Sequence, residues 1–212
     1  MKTKIFRFAL IALVTVSFAG CTFIFQKGRR SDVEKIEELT RKLDDLDEAK
    51  RILEDRLSQE ISDKQVRLQR QEKGLVITFV ADILFDSGKA ELRSVAYPTL
   101  DKVVRVLKEN VPDLNVGIEG HTDNEPIRHS GWKSNWELSA HRALSVLHYL
   151  VDEKGISPTR LSALAYGEFH PVASNETKQD RQLNRRVEIV ILPRVAKVKE
   201  NEPQAEIPAN LK

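Results

Sequence analysis

The spacing of apolar residues changes several times along this 212-residue chain, and each change marks the edge of an element. Phe8 to Phe25 runs without a charge. From Ser31 to Lys73 there is neither Gly nor Pro, and Ile36, Leu39, Leu43, Leu46, Leu53 and Leu57 recur at steps of three and four, with Lys50 interrupting one core position. That pattern predicts a coiled-coil helix over 31–73, about three heptads long, whose apolar stripe would meet a second copy of the chain. Such a helix would span about 60 Å and act as a spacer. The alternative is a single solvated helix, or one folded back on its own domain.

Gly74 ends the helical period. "LVITFVADILF" is rich in β-branched and aromatic residues and predicts a largely buried strand. "AELRSVAYPTLDKVVRVLKEN" carries Leu92, Val95, Leu100, Val103, Val104 and Leu107 at helical spacing, with Pro98 near the helix start or at a kink. "LNVGIEG" predicts a second strand and "SNWELSAHRALSVLHYLVDEKG" a second helix, opened by a Ser134/Glu137 capping box and closed by Gly155. Ser139, Ala143, Val146 and Leu150 form its packing stripe, and the two small residues allow a close approach to the sheet. "RLSALAYG" and "RRVEIVIL" complete an order βαβαββ. The expected class is α+β, a mixed sheet with helices packed on one face, over residues 74–194. Residues 195–212 are polar, proline-containing and without period, and are expected to be disordered.

Charge and cysteine usage narrow the function. With a formal net charge of +2 and no basic stripe with interleaved aromatics, nucleic acid is not an expected partner. Cys21 is the single cysteine, which excludes an internal disulfide and a multi-cysteine zinc site. Lys2, Lys4 and Arg7 precede the apolar run Phe8–Val16, and Ala19 and Gly20 precede Cys21, so residues 1–20 read as an export signal. "FAGC" resembles a bacterial lipobox, with Phe18 where an aliphatic residue is usual. The resemblance implies a lipidated Cys21, a linker over 21–30, and lipid anchoring in the outer membrane facing the periplasm. The alternative is an uncleaved anchor, since about 18 uncharged residues approach the length of a membrane span.

The chemistry concentrates at "IEGHTDNEPI" and the helix after it. Asp123 follows the second predicted strand, a common ligand position where crossover helices pack on a sheet. Arg142 lies seven residues after Asn135, two turns along the same helix face. A carboxylate and a guanidinium so placed suit a zwitterion, one accepting from an ammonium and the other donating a planar fork to a carboxylate. A direct Asp123–Arg142 ion pair locking loop to helix is the other arrangement these residues allow. No HExxH or comparable spacing links His121, His129, His141, His148 and His170, and Ser139 sits on a packing stripe, so neither a metal nor catalysis is expected.

"NWELSAHRALSVLHYL" follows, position for position, the pattern N-x2-LS-x2-RA-x2-V-x3-L of OmpA-like peptidoglycan-binding domains, and "ILFDSGKAEL", "GHTDN" and "NRRVEIVI" resemble further segments of that family. The resemblance covers residues 74–193. It implies non-covalent binding of the peptidoglycan stem peptide at diaminopimelate, without a cofactor. Asp123 would take the ammonium and Arg142 a carboxylate. Asn135 would order the loop or contact the peptide, with Asp86, Thr122 and Leu138 around the pocket and Arg186 nearby on the closing strand, where a structural ion pair is the other role open to it. Asp180 stands where the family often has glycine. The implied function is to tether the outer membrane to the cell wall. An inner-membrane scaffold or flagellar-stator-like protein is the alternative, although a stator needs an acidic residue in its membrane span and Phe8–Phe25 has none.

Overall fold

The structure is a computed structural model that describes residues 33, 36, 45–128 and 131–193. The export signal, Cys21, the linker, Leu39, Leu43 and the expected tail lie outside the described residues. Helix α1 covers residues 45–56 and is followed by α2 (Ser58–Ser62), β1 (Val66–Gln71) and β2 (Gly74–Val80). Then come α3 (Ala81–Leu84), α4 (Tyr97–Glu109), β3 (Val116–His121), α5 (Asn135–His148), β4 (Leu161–Gly167), α6 (Lys178–Asn184) and β5 (Arg186–Ile191).

The five strands form one mixed sheet in the order β1-β2-β5-β3-β4. Only β3 and β4 run parallel, and α5 is their crossover; every other pairing is antiparallel. Alternation assigns the two faces. Leu75, Ile77 and Phe79 of β2, Val187, Ile189 and Ile191 of β5, and Val116 and Ile118 of β3 share one face. They join Leu100, Val103 and Leu107 of α4 and Ala143, Val146 and Leu150 in a single core. The α+β class and the one-sided helical layer match the expectation from sequence.

The N-terminal segment requires a correction. The helix expected over 31–73 ends before Asp63, and Val66–Gln71 pairs with β2 as an edge strand. Leu46, Leu53 and Leu57, read as a seam between chains, are fully buried in this chain's own core. Arg56 pairs with Glu109 and Lys102 with Glu60, holding α1 and α2 against α4. Leu46, Leu53 and Leu57 therefore cover this chain's own domain, whereas Ile36 is exposed. "VRLQRQ" alternates with period two, a signal masked by the absence of Gly and Pro before Lys73.

Two smaller differences follow from local chemistry. The strand expected through Phe85 stops at Val80, where the chain turns through α3. Helix α4 starts at Tyr97, with Pro98 in its first turn, where the missing N–H is not needed.

Candidate functional site

The β3 exit and the start of α5 are built as a unit. Gly120 is required there, because a Cβ on it would stand 2.0 Å from the carbonyl oxygen of Ser139. Ser134 caps α5, its hydroxyl accepting from the Glu137 N–H at 3.3 Å. Ser139 Oγ accepts from Gly167 N–H at 3.1 Å, which fixes the helix against β4. The expected stripe of Ser139, Ala143, Val146 and Leu150 is fully buried.

Asp123 lies on the loop after β3 and is buried. Thr122 N–H donates to Gly167 O at 2.8 Å and its hydroxyl to Asp123 O at 2.9 Å. Asn135 Nδ2 donates to Asp123 O at 3.3 Å and to Glu125 O at 3.1 Å, and also to the Glu168 carboxylate. Thr122 and Asn135 therefore shape the loop that presents Asp123. Its carboxylate accepts from Arg185 Nη1 at 2.7 Å and from Glu125 N–H at 3.2 Å.

Arg142 does not pair with Asp123. Its Nε donates to Lys89 O at 2.9 Å, and its guanidinium lies 5.2 Å from the centroid of the Phe85 ring. The side chain is buried at 3% exposure, and among the described residues no carboxylate forms an ion pair with it. Burial lowers its pKa to about 10, with the like charge of Arg185 adding to the effect and Asp82 and Asp123 opposing it, so it stays charged at neutral pH. Leu138 is buried one turn earlier on the helix face that carries Arg142. Asp86 sits exposed at the rim, paired with Lys89 at 3.1 Å and Arg93 at 3.5 Å, on the same loop that supplies Lys89 O to Arg142.

Arg186 forms the structural ion pair that was the alternative to a ligand role. It lies on the opposite face of the sheet, where Nε donates to Glu188 Oε1 at 2.7 Å and Nη2 to His170 O at 3.2 Å. The arginine beside Asp123 is Arg185, a neighbour that the sequence did not single out. Core residues Val187, Ile189 and Ile191 share its parity, so strand alternation carried the signal. Of the two tryptophans, Trp132 is a cover, donating to Gly88 O at 2.8 Å and packing on His141, whereas Trp136 stacks on Phe169 at the surface. Asp180 is accommodated in the first turn of α6, where its N–H donates to Thr177 Oγ1 at 3.0 Å.

Residues 84–185 match the OmpA family. A solved structure, the cell wall anchor of the T6SS from Pseudomonas aeruginosa, is 32% identical, with a TM-score of 0.61 over 67% of this chain and 97% of that one. The chain belongs to the OmpA family. Motility protein B of Bacillus subtilis (strain 168) is 44% identical over 140 residues, 64% of this chain and 53% of that protein. "Probable lipoprotein YiaD" of Escherichia coli (strain K12) is 34% identical over 128 residues, 60% of this chain and 56% of that protein. The chain thus spans about half the length of these curated OmpA-family relatives, 53% and 56%.

Proposed function

We propose that this chain holds the cell wall without cutting it, by binding the peptidoglycan stem peptide at its diaminopimelate zwitterion. One observation carries the proposal: a buried guanidinium whose partners among the described residues are a backbone carbonyl and an aromatic face, beside a loop that presents a buried carboxylate. A buried cation with no counter-ion of its own is costly, and an incoming carboxylate would supply the charge it lacks. Arg142 would receive that carboxylate. Asp123 would accept the ligand ammonium, sharing or exchanging its bond to Arg185, while Asn135 and Thr122 hold the loop and Leu138 and Asp86 border the pocket. The name of the type VI anchor supports a wall ligand for this fold.

Hydrogen bonds to charged groups contribute roughly 1.5–3 kcal/mol each, so two such anchors give modest affinity for one stem peptide. Many copies tethered to one membrane and facing one polymer would gain effective concentration without new contacts. In this proposal Cys21 carries the lipid and the outer membrane is the tethered surface, as the lipobox resemblance and the lipoprotein relative suggest. The test is pull-down on purified sacculi: Asp123→Ala and Arg142→Ala proteins that are retained like wild type would remove the ligand assignment.

A second reading, an inner-membrane-anchored or motility-associated protein using the same domain, is favoured by the 44% identity to Motility protein B. Labelling cells with a palmitate analogue separates the two, because only the lipoprotein takes up the label.

A further inference from the structure

The face of the sheet away from the helices carries a second polar cluster that wall binding does not use. Glu119 and His121 are two residues apart on β3 and project to this face, and Glu188 of β5 lies directly opposite Glu119. Like charges facing each other across a ladder are destabilising, and both glutamates are buried. Two cations offset them. Lys73 Nζ stands 2.6 Å from Glu119 Oε2 and 2.8 Å from Glu188 Oε2, and Arg186 Nε stands 2.7 Å from Glu188 Oε1.

His121 has no comparable partner. It is 3% exposed, and among the described residues neither Nδ1 nor Nε2 has a hydrogen-bond partner. Glu119 Oε2 is 3.9 Å from Nε2, beyond hydrogen-bond reach, and the ring stacks on Tyr166 with centroids 5.0 Å apart. A buried imidazole with both nitrogens unused requires an explanation. The cluster offers one: a carboxylate oxygen from each glutamate and a ring nitrogen of His121 lie within 4.8 Å of one another. They border a cavity of about 410 Å³ that Lys73 also lines.

We propose that Glu119, His121 and Glu188 form a site for a divalent transition-metal ion of the zinc class, with the Lys73 ammonium as its resident competitor. Two carboxylates and one imidazole suit zinc, whereas calcium and magnesium favour all-oxygen sets. Bonds of about 2.0–2.2 Å would need the three ligand atoms to close to roughly 3.4 Å apart, a movement of side chains on fixed strands. Arg186 already holds the second carboxylate oxygen of Glu188, as an outer partner of a metal ligand does. Lys73 sits in the two-residue turn between β1 and β2 with 36% of its side chain exposed, so its ammonium can withdraw into water when the ion enters. The open cavity leaves the fourth coordination position to water.

The test uses the full chain in detergent micelles, with Zn²⁺ titrated calorimetrically and Co²⁺ followed by its visible absorption. Wild type should bind one Zn²⁺ per chain and give tetrahedral Co²⁺ bands. His121→Ala and Glu188→Gln should weaken binding by about tenfold or more and abolish the bands. Lys73→Ala removes the competitor and should tighten binding while leaving all three ligands in place. If His121→Ala fails to fold, the Lys73→Ala comparison decides. Absence of Zn²⁺ binding in both wild type and Lys73→Ala, unchanged binding in a folded His121→Ala protein, or weaker binding in Lys73→Ala would each overturn the proposal.

Discussion

Arg142→Lys is the most informative single change at the proposed wall-binding site, because it keeps the charge and removes the geometry. In the structure Nε is tied to Lys89 O at 2.9 Å over the Phe85 ring, and the proposed function assigns the Nη pair to the ligand. A lysine cannot do both. Its single ammonium either bonds Lys89 O or turns to the ligand, and it offers no planar fork. Losing one hydrogen bond to a charged group costs roughly 1.5–3 kcal/mol, or about ten- to hundredfold in the dissociation constant. The assay is equilibrium binding of a soluble stem-peptide fragment, with sacculus retention as a second readout and a thermal melt to confirm the fold. The expected result is a loss with Arg142→Lys close to that with Arg142→Ala. A lysine variant that binds as tightly as wild type would show that the site needs only a positive charge there.

Three further outcomes test the architecture. Leu53→Ala should destabilise the domain by about 2–5 kcal/mol in chemical denaturation, independent of protein concentration, since Leu53 is fully buried in the chain's own core; a concentration-dependent loss would restore the coiled-coil seam. Gly120→Ala should cost about 3 kcal/mol or more, because the added methyl meets the Ser139 carbonyl and must push α5 from β3; an unchanged melting temperature would contradict the close packing. The pKa of Glu60 lies below its ordinary 4.5: burial pushes it up, but the bonds from Lys102 and Thr99 outweigh that. Its contribution is therefore complete above about pH 4.5 and is lost as the pH falls towards the lower folded-state value, so Glu60→Gln should flatten the acid limb of the stability curve. An identical limb in the variant would mean that α2 is not docked on α4.

Periodicity and local chemistry made much of the domain legible. The strand that opens at Gly74, the Ser134 cap and the small-residue stripe of α5 are local facts, and β2 and α5 are present in the structure. Asp123 and Arg142 were legible as well, because a strand exit and a helix face follow from spacing. Partner choice was not. Asp123 is paired with Arg185, since β5 lies beside β3 and the extended residue just before β5 turns to the side opposite Arg186.

The leucine stripe of α1 shows the same division. Its sequence requires a buried face but cannot state whether that face meets a second chain or its own domain. The edge strand β1 and the ion pairs to α4 decide this in favour of the domain. Glu119, His121 and Glu188 show it most clearly, since Glu119 and Glu188 are 69 positions apart in the chain and direct partners in the ladder. Sequence by itself determined periodicity, caps and the chemistry available to each residue, because these depend on neighbours within a few positions. Tertiary structure alone decided which charges face each other, because register and strand order bring together groups whose separation along the chain carries no record of their contact.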